Sequence, residues 1–577
     1  MQIPKKLILY KASRHKENFP SSLKYGYYSD KLFTPIYLGK AKQSRNFGRK
    51  YQQKLVQELH LKFFDDGLSN FELLKTFNRF SRIKKCSIYP LIHDRSNNER
   101  KDLGIRVFKR LFRTLKRIKH IEMQSLDFNE LQNDPKTFKA LVLLTGLESL
   151  TFYRLIYSQN TKHLKPLLKV MKVASQRKSW PKFKSLKVRP FYPEDLNWNR
   201  EKALPLESLK SLLEFLKGLK ACGGNMYKCL DDVQLTLPYC PNFNSEQAAT
   251  ISEISKLVPS IKSIEITEFK YSAEVLQIFQ RSKALKRVSF RTSDNVEEEE
   301  EFDLGVLNKI PGLQELELTT RTRAGTDLLL YSKVLGQMQT VTNLTSFSFD
   351  ISGGLILTEE LKTSLAGVIS SLTKLKSLKL NFWSYSRRNY SDMSFRSLWL
   401  GDLFEAIGKR NKLQQLSLSF SPFNFDGLGK LFLVFCQSLK KLKQLTELHL
   451  EFVESGNIGD KEIGKLCQSL RKLTKLQELN FRMNRYSGFQ KKSFILLLDC
   501  FANSIPVVSR ISLTLGQVKI TSQAYQLLLQ TVQRKECLNW IRLWLEGDVE
   551  AGIDLKTLKC EMNKTVPGEV YFNSQNL

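Results

Sequence analysis

One phrase of thirteen residues occurs twice in this chain, 31 residues apart: CQSLKKLKQLTEL at 436–448 and CQSLRKLTKLQEL at 467–479. A repeat of that length is typical of stacked solenoids, in which each unit packs only on its neighbours. A solenoid offers an extended surface rather than a single pocket. The repeat therefore predicts the architecture and leaves the partner open.

The shared core of each unit is the pattern L-x-x-L-x-x-L-x-L, whose last two apolar residues belong to a short strand. In the clearest units these two strand residues are Leu316 and Leu318, Phe347 and Phe349, Leu378 and Leu380, Leu416 and Leu418, Leu448 and Leu450, Leu479 and Phe481, Ile511 and Leu513, and Ile541 and Leu543. Successive copies lie 30 to 38 residues apart. Weaker copies extend upstream to about residue 55 and bring the predicted total to about 16 repeats.

These units resemble those of the leucine-rich repeat family. Their length, and the apolar residues at helical spacing between strands at 427–439 and 461–470, are similar to the ribonuclease-inhibitor-like class of that family. The resemblance implies an α/β leucine-rich-repeat solenoid, a horseshoe with parallel strands on the concave face and helices on the convex face. The family's buried Asn after the strand is matched by Asn484 but replaced at the positions of Arg321, Trp383, Ser421 and Val453. We therefore expect irregular turns after the strands.

Breaks in the period predict five segments. They are a basic N-terminal arm or cap over 1–54, divergent basic repeats over 55–189, an insertion over 190–229, regular repeats over 230–555 and a C-terminal cap over 556–577. Insertions in a repeat array fall on one edge of the solenoid and often carry contacts.

The formal charge of +34 is concentrated at one end of the chain. Residues 1–200 contain 43 Lys and Arg against 16 Asp and Glu, a charge of +27, and the remaining residues carry only +7. This asymmetry predicts an anionic partner, either an acidic protein or RNA or DNA, for the N-terminal 200 residues. The densest positive run has helical spacing and forms a predicted basic patch of Arg106, Lys109, Arg110, Arg113, Lys116, Arg117 and Lys119.

Side chains alternate along a strand, so the residues between and just after the strand leucines face solvent on the concave side. The candidate binding residues chosen from these positions are Tyr89, Tyr153, Lys187, Arg189, Arg291, Lys379, His449, Arg482, Arg542 and Trp544. This face mixes polar groups, both charges and aromatics, which is typical of a protein epitope. A nucleic-acid backbone would require a denser row of cations.

Further cations precede the strands, notably at 440–443 and 471–475. Two interpretations stay open for them. Cations at helix C-termini offset the helix dipole, and the same residues, stacked in register, would form a continuous basic rim.

The sequence contains no phosphate-binding loop or nucleophile elbow, and its six histidines have no partner at a metal-binding or triad spacing. It therefore predicts no enzymatic activity, no cofactor and no metal. The nine cysteines are scattered, as small buried hydrophobes are in a reducing compartment. No apolar run approaches the ~18 residues of a membrane span, so no span is expected.

We expect an intracellular protein, cytoplasmic or nuclear. The basic, acid-poor first 50 residues leave mitochondrial import as an alternative.

The predicted function is a noncatalytic scaffold that mediates protein–protein interaction, with an acidic protein as the expected partner. The alternative is a protein component of a ribonucleoprotein or other nucleic-acid-binding complex, in which the N-terminal repeats contact phosphates. An adaptor for ubiquitin transfer or a GTPase regulator is a weaker hypothesis, because no recruiting motif precedes the first repeat.

Overall fold

The computed structural model describes most of the repeat core. The described residues are 6–10, 34–37, 58–63, 85–90, 118–124, 144–155, 165–176, 180, 182–190, 205–221, 230–237, 244–266, 272–280, 282–292, 304–326, 329–355, 359–383, 399–421, 428–453, 458–484, 491–503, 508–516, 518, 520–534, 538, 540–545, 549–550, 553, 557, 560, 562, 566 and 569–574. The chain divides into two compact units, Met1–Ile266 and Thr267–Leu577.

The first unit is a parallel sheet with helices between its later strands. Its strands are β1 Lys6–Tyr10, β2 Thr34–Tyr37, β3 Glu58–Phe63, β4 Lys85–Pro90, β5 His120–Gln124, β6 Ser149–Leu155, β7 Ser185–Pro190, β8 Leu230–Leu237 and β9 Ser263–Ile266. Its described helices are α1 Lys165–Gln176, α2 Pro205–Ala221 and α3 Ser245–Leu257. Strand β1 pairs with both β2 and β3, and from β3 onward each strand pairs with the next.

Local sequence accounts for the start of helix α3. Helix α3 begins with a capping box: the Gln247 amide donates to Asn244 Oδ1 at 3.0 Å, and the Asn244 amide donates to Gln247 Oε1 at 2.9 Å. These two bonds satisfy amide donors that the first helical turn leaves without partners. Ile251 and Ile254 are then fully buried on one face of the helix.

The second unit is a sheet of ten strands, each parallel to the next. The strands are β10 Arg287–Thr292, β11 Glu315–Thr326, β12 Ser346–Leu355, β13 Ser377–Trp383, β14 Gln415–Ser421, β15 Glu447–Val453, β16 Glu478–Asn484, β17 Arg510–Leu515, β18 Trp540–Leu545 and β19 Glu569–Ser574. The helices are α4 Ser272–Ile278, α5 Leu329–Met338, α6 Glu359–Ser371, α7 Trp399–Gly408, α8 Leu428–Leu439, α9 Asp460–Leu470, α10 Lys491–Asn503 and α11 Ser522–Arg534, with a 3-10 helix at Leu304–Lys309.

From α5 to α11 each helix packs on the next, so this unit consists of stacked strand–helix repeats. The predicted α/β class and parallel strands are confirmed, and the arrangement fits a leucine-rich-repeat-like solenoid. The predicted segment boundaries stay predictions. The side chains at Asn484 and at its four counterparts lie outside the described residues, as do the turns that follow strands β13 to β16.

The core lies between the sheet and the helices. The strand residues of the template are buried as predicted; Leu316 is 2% exposed and Leu318 is 1% exposed. A third buried position, two residues further along the strand, holds a column of aromatic rings in β13, β14 and β15. Phe382, Phe420 and Phe452 stack with centroids 5.5 Å and 5.9 Å apart and ring planes within 12° of parallel.

A ladder of backbone hydrogen bonds ties each turn to the next where the chain enters the strands. The Lys376 carbonyl accepts the amides of Gln414 and Gln415 at 2.7 and 2.9 Å. The Gln414 carbonyl accepts the two equivalent amides of the next repeat, at Thr446 and Glu447. The same pattern continues through the carbonyls of Thr446 and Gln477. It satisfies the turn's polar groups and holds neighbouring repeats at a constant spacing.

Gly312 lies in one of these turns, before β11, and is required by close packing. A Cβ at this position would lie 2.7 Å from the Lys283 carbonyl oxygen and 2.9 Å from that of Leu285. Both atoms belong to the backbone of the preceding turn, which cannot swing aside.

Three of the four free cysteines that the structure describes are buried, as the sequence predicts, and the fourth is not. Cys436, Cys467 and Cys500, in α8, α9 and α10, are free and buried, and burial raises the pKa of the Cys436 thiol to about 12. Cys560 is free and exposed. Cys222, Cys229 and Cys240 lie outside the described residues.

Candidate binding face

Two rows of outward-facing side chains run across the sheet of the second unit, because β10 to β18 are paired in register. The first row is Ser289, Glu317, Ser348, Lys379, Ser417, His449, Asn480, Ser512 and Arg542. The second row is Arg291, Thr319, Asp350, Asn381, Ser419, Glu451, Arg482, Thr514 and Trp544. We call these two rows the binding face.

Six predicted binding residues lie in these rows. Lys379 and Arg542 are exposed, whereas Arg291, His449, Arg482 and Trp544 are half-buried. The structure thus brings these six onto one surface.

The other predicted binding residues belong to the first unit. Lys187 is half-buried in β7. Tyr89, Tyr153 and Arg189 occupy positions in β4, β6 and β7, but their side chains lie outside the described residues.

The predicted basic patch is represented by Lys119 alone, since Arg106, Lys109, Arg110, Arg113, Lys116 and Arg117 lie outside the described residues. Lys119 lies in the turn before β5 and pairs with Glu148 in the equivalent turn of the next repeat. The hydrogen bond from Lys119 lowers the pKa of the Glu148 carboxyl, against the opposing effect of burial. This lysine therefore already has an anionic partner within the chain.

Acidic residues of the binding face are neutralised by neighbouring repeats. Glu317 pairs with Arg287 one strand away. Asp350 accepts a hydrogen bond from Asn381 Nδ2 at 3.0 Å and lies 3.7 Å from Lys379 Nζ. Such pairing makes the face polar but nearly neutral, unlike a phosphate-binding surface.

The most constrained group on the face is Glu451, whose side chain is only 6% exposed. Ser419 Oγ donates to its Oε2 at 3.2 Å, and His449 Nε2 lies 3.7 Å from the same oxygen. Arg482 Nη1 lies 2.7 Å from Oε1, as a close ion pair rather than a well-aligned hydrogen bond. Asn480 Nδ2 is 2.8 Å from His449 Nδ1 and so orients the imidazole ring.

These contacts decide the charge state of Glu451. Burial would raise its pKa, but the polar contact with His449, the charge of Arg482 and the hydrogen bond from Ser419 together outweigh burial, and the pKa falls below its ordinary value. The carboxylate is therefore ionised at neutral pH.

Ser419 gives its hydrogen bond to the Glu451 carboxylate rather than to His449. The cluster therefore lacks the serine–histidine contact of a Ser–His nucleophilic pair.

Sequence reasoning places Glu451 on the concave face but does not select it as a binding residue, although a signal existed. Aligning three successive repeats places Ser419, Glu451 and Arg482 side by side in the second row. A carboxylate between a hydroxyl and a guanidinium at that spacing indicates a cross-strand network.

Within the part of the chain that the structure describes, no helix is both long and apolar enough to cross a membrane. The described residues also include no group of three or more His, Cys, Asp or Glu that could hold a metal ion.

No protein-family model matches this chain, and no curated protein matches its sequence. Among solved structures, it is similar to the glycosylated Toll–Spatzle complex of Drosophila, with 11% identity over 97% of this chain and 72% of that one and a TM-score of 0.26. It is also similar to an endo-β-1,4-mannanase of Thermotoga petrophila, with 10% identity over 46% of this chain and 66% of that one and a TM-score of 0.18. Similarities at this level support no conclusion about function.

Proposed function

We propose that this protein is a noncatalytic leucine-rich-repeat scaffold of the ribonuclease-inhibitor-like class, a horseshoe of about 16 repeats that binds a protein partner on its concave face. The supporting observation is the binding face itself: two registered rows of polar side chains across nine parallel strands. Because its acidic groups are paired within the chain, this face is suited to a mixed polar epitope rather than to a row of phosphates.

Arg542 and Trp544, on β18, are the residues we expect to contribute most to binding. Arginine and tryptophan carry a large share of binding energy at protein interfaces. Arg542 is exposed and Trp544 is half-buried, so a partner can cover both without unfolding the strand.

The test is quantitative co-purification of the tagged full chain from its own cells, with and without nuclease. The face variant is R542A/W544A, and the matched control is K430A/K461A, at two exposed positions on α8 and α9. We expect specific proteins that survive nuclease treatment to be retained by the control and lost at least about tenfold by the face variant. Thermal unfolding of both variants checks that the fold is intact.

Retention of the same proteins by the face variant would overturn the proposal. The isoelectric points of the proteins that are lost test the expectation of an acidic partner.

A second candidate, a component of a nucleic-acid-binding complex, rests on the charge of +27 in residues 1–200. Most of those residues lie outside the described ranges, so this candidate rests on charge alone. Loss of every co-purified protein on nuclease treatment would favour it over the protein scaffold.

A further inference from the structure

A cluster of cations lies away from the binding face, in the turns that lead from α7, α8 and α9 into β14, β15 and β16. We call it the basic rim: Lys409, Arg410, Lys412, Lys440, Lys441, Lys443, Arg471, Lys472 and Lys475. The turns themselves, residues 409–414, 440–446 and 471–477, contain no carboxylate; Glu447 and Glu478 are the first residues of β15 and β16. The equivalent turn before β12, residues 339–346, contains no charged residue, so the rim is a local feature of the array.

The rim side chains are accessible. Seven of the nine are exposed, and Arg410 and Lys440 are half-buried. The two nearby carboxylates have partners outside the rim: Glu447 accepts a hydrogen bond from Gln415 at 3.0 Å, and Glu478 pairs with Arg510 at 3.3 Å.

Four rim lysines have no anionic partner among the residues that the structure describes. Considering the residues that the structure describes, the side chains of Lys412, Lys441, Lys443 and Lys472 form neither a hydrogen bond nor an ion pair. Their charge is therefore available to an external ligand.

Helix dipoles account for only part of this cluster. The helices end at Gly408, Leu439 and Leu470, so the cation pairs that follow directly lie within reach of the last turn. Three further cations lie four or five residues beyond those helix ends: Lys412, Lys443 and Lys475. At that distance the helix dipole no longer stabilises a positive charge. Their presence in three successive turns needs another explanation.

The hydrogen-bond ladder at the strand entrances holds these turns in register, about 4.8 Å apart. Side chains reinforce this spacing, since Lys475 Nζ donates to Gln444 Oε1 of the preceding turn at 2.6 Å. The backbone thus places the cations in ordered rows.

The remaining exposed groups of the rim identify its ligand. They are amides and a hydroxyl, at Asn411, Gln414, Gln415, Gln444, Thr474 and Gln477, and every leucine in the three described turns is buried. A stable protein interface needs an apolar core, and base stacking needs aromatic rings; these turns expose neither. Lys and Arg with Asn, Gln and Thr are the side chains that contact phosphate and sugar.

We propose that the basic rim binds the phosphate backbone of double-stranded nucleic acid without regard to base sequence. This inference is independent of protein binding on the concave face, because it concerns a different edge of the repeats and different residues.

The test measures binding of the full chain to labelled duplexes of about 24 base pairs, one RNA and one DNA, by fluorescence anisotropy across a salt series. The rim variant is K412Q/K443Q/K472Q/K475Q. The matched control removes four exposed lysines from helices of the same repeats, as K430Q/K461Q/K465Q/K492Q.

For the rim variant we expect affinity at physiological salt to fall at least about tenfold. We also expect the negative slope of log K against log salt to become shallower by about 3 to 4, since each lost contact with a DNA phosphate removes about 0.9 from its magnitude. The control should change the slope by less than about 1. Similar losses on RNA and DNA support backbone recognition, and a loss on one alone assigns the duplex type.

Equal weakening by the rim and control variants would overturn the proposal, because it would show a diffuse charge effect. The proposal would also be overturned if the rim variant bound the duplexes as tightly as the wild type but had lost the binding of a polyglutamate peptide. That result would assign the rim to an acidic protein. Both variants change only exposed side chains, so unfolding midpoints equal to that of the wild type confirm that the fold is intact. Proteins retained through R542A/W544A-sensitive contacts should be unaffected by the rim variant.

Discussion

Replacing Glu451 by Gln tests whether the buried carboxylate stabilises the binding face. The substitution keeps the side chain's shape but removes the charge beside His449 and Arg482. Removing one partner of a fully buried ion pair costs about 3–5 kcal/mol. Since the Arg482 side chain is 26% exposed, solvent screens part of its charge, and we expect a loss of about 2 kcal/mol.

The pH dependence of this loss has a definite sign. The pKa of Glu451 is lower in the folded protein than its ordinary value of about 4.3. Its contribution to stability is therefore fully present above that ordinary value and is lost as the pH falls through the lowered folded pKa. The difference between wild type and E451Q should be constant from about pH 7 to pH 5 and should shrink below about pH 4.

The assay is urea unfolding by circular dichroism, with amide hydrogen exchange locating the effect in β14 to β16. The matched control is E447Q, an exposed carboxylate on the same strand, which should cost less than about 0.5 kcal/mol. A loss from E451Q no larger than that of the control, or a difference unchanged down to pH 3, would refute our account of the cluster.

Three further outcomes follow from the core. F420A should lower the free energy of unfolding by about 3–5 kcal/mol and F420L by clearly less, measured by urea denaturation, because the ring is the centre of the aromatic column. G312A should lower the free energy of unfolding by about 1–3 kcal/mol. G336A, at an exposed helical position with nothing within 4 Å of the new Cβ, should raise it by about 0.5–1 kcal/mol. Equal effects of the two substitutions would contradict the packing argument. In the native protein, maleimide should modify Cys560 well before Cys436, as peptide mapping would show, and the reverse order would be inconsistent with the burial of the Cys436 thiol.

The periodic part of the fold could be predicted because the residues that determine it lie within each repeat. Each repeat contains its own strand leucines and its own helical apolar face, and residues such as Leu448 and Leu450 are buried where the template places them. The outward positions, including Lys379 and Arg542, follow from strand alternation alone.

Features that depend on contacts between repeats could not be predicted in the same way. The aromatic column lies beyond the last leucine of the template, and its stacking joins residues more than thirty positions apart in sequence. The burial of Glu451 likewise depends on Ser419 and Arg482 in neighbouring strands. In the first unit, β1 lies between β2 and β3, so chain order and spatial order differ at the start of the array.

The backbone ladder at the strand entrances has a consequence for how such a chain can change its length. From β11 to β17, each described turn before a strand donates two amides to the preceding turn and offers one carbonyl to the next, so the two boundaries of a repeat are interchangeable. A whole unit of about 31 residues can be copied or deleted without orphaning a buried backbone group at either boundary. The two nearly identical phrases at 436–448 and 467–479 are what such a copied unit looks like. A chain built this way can lengthen by whole repeats, while the surface residues of each repeat change independently of those in the other repeats.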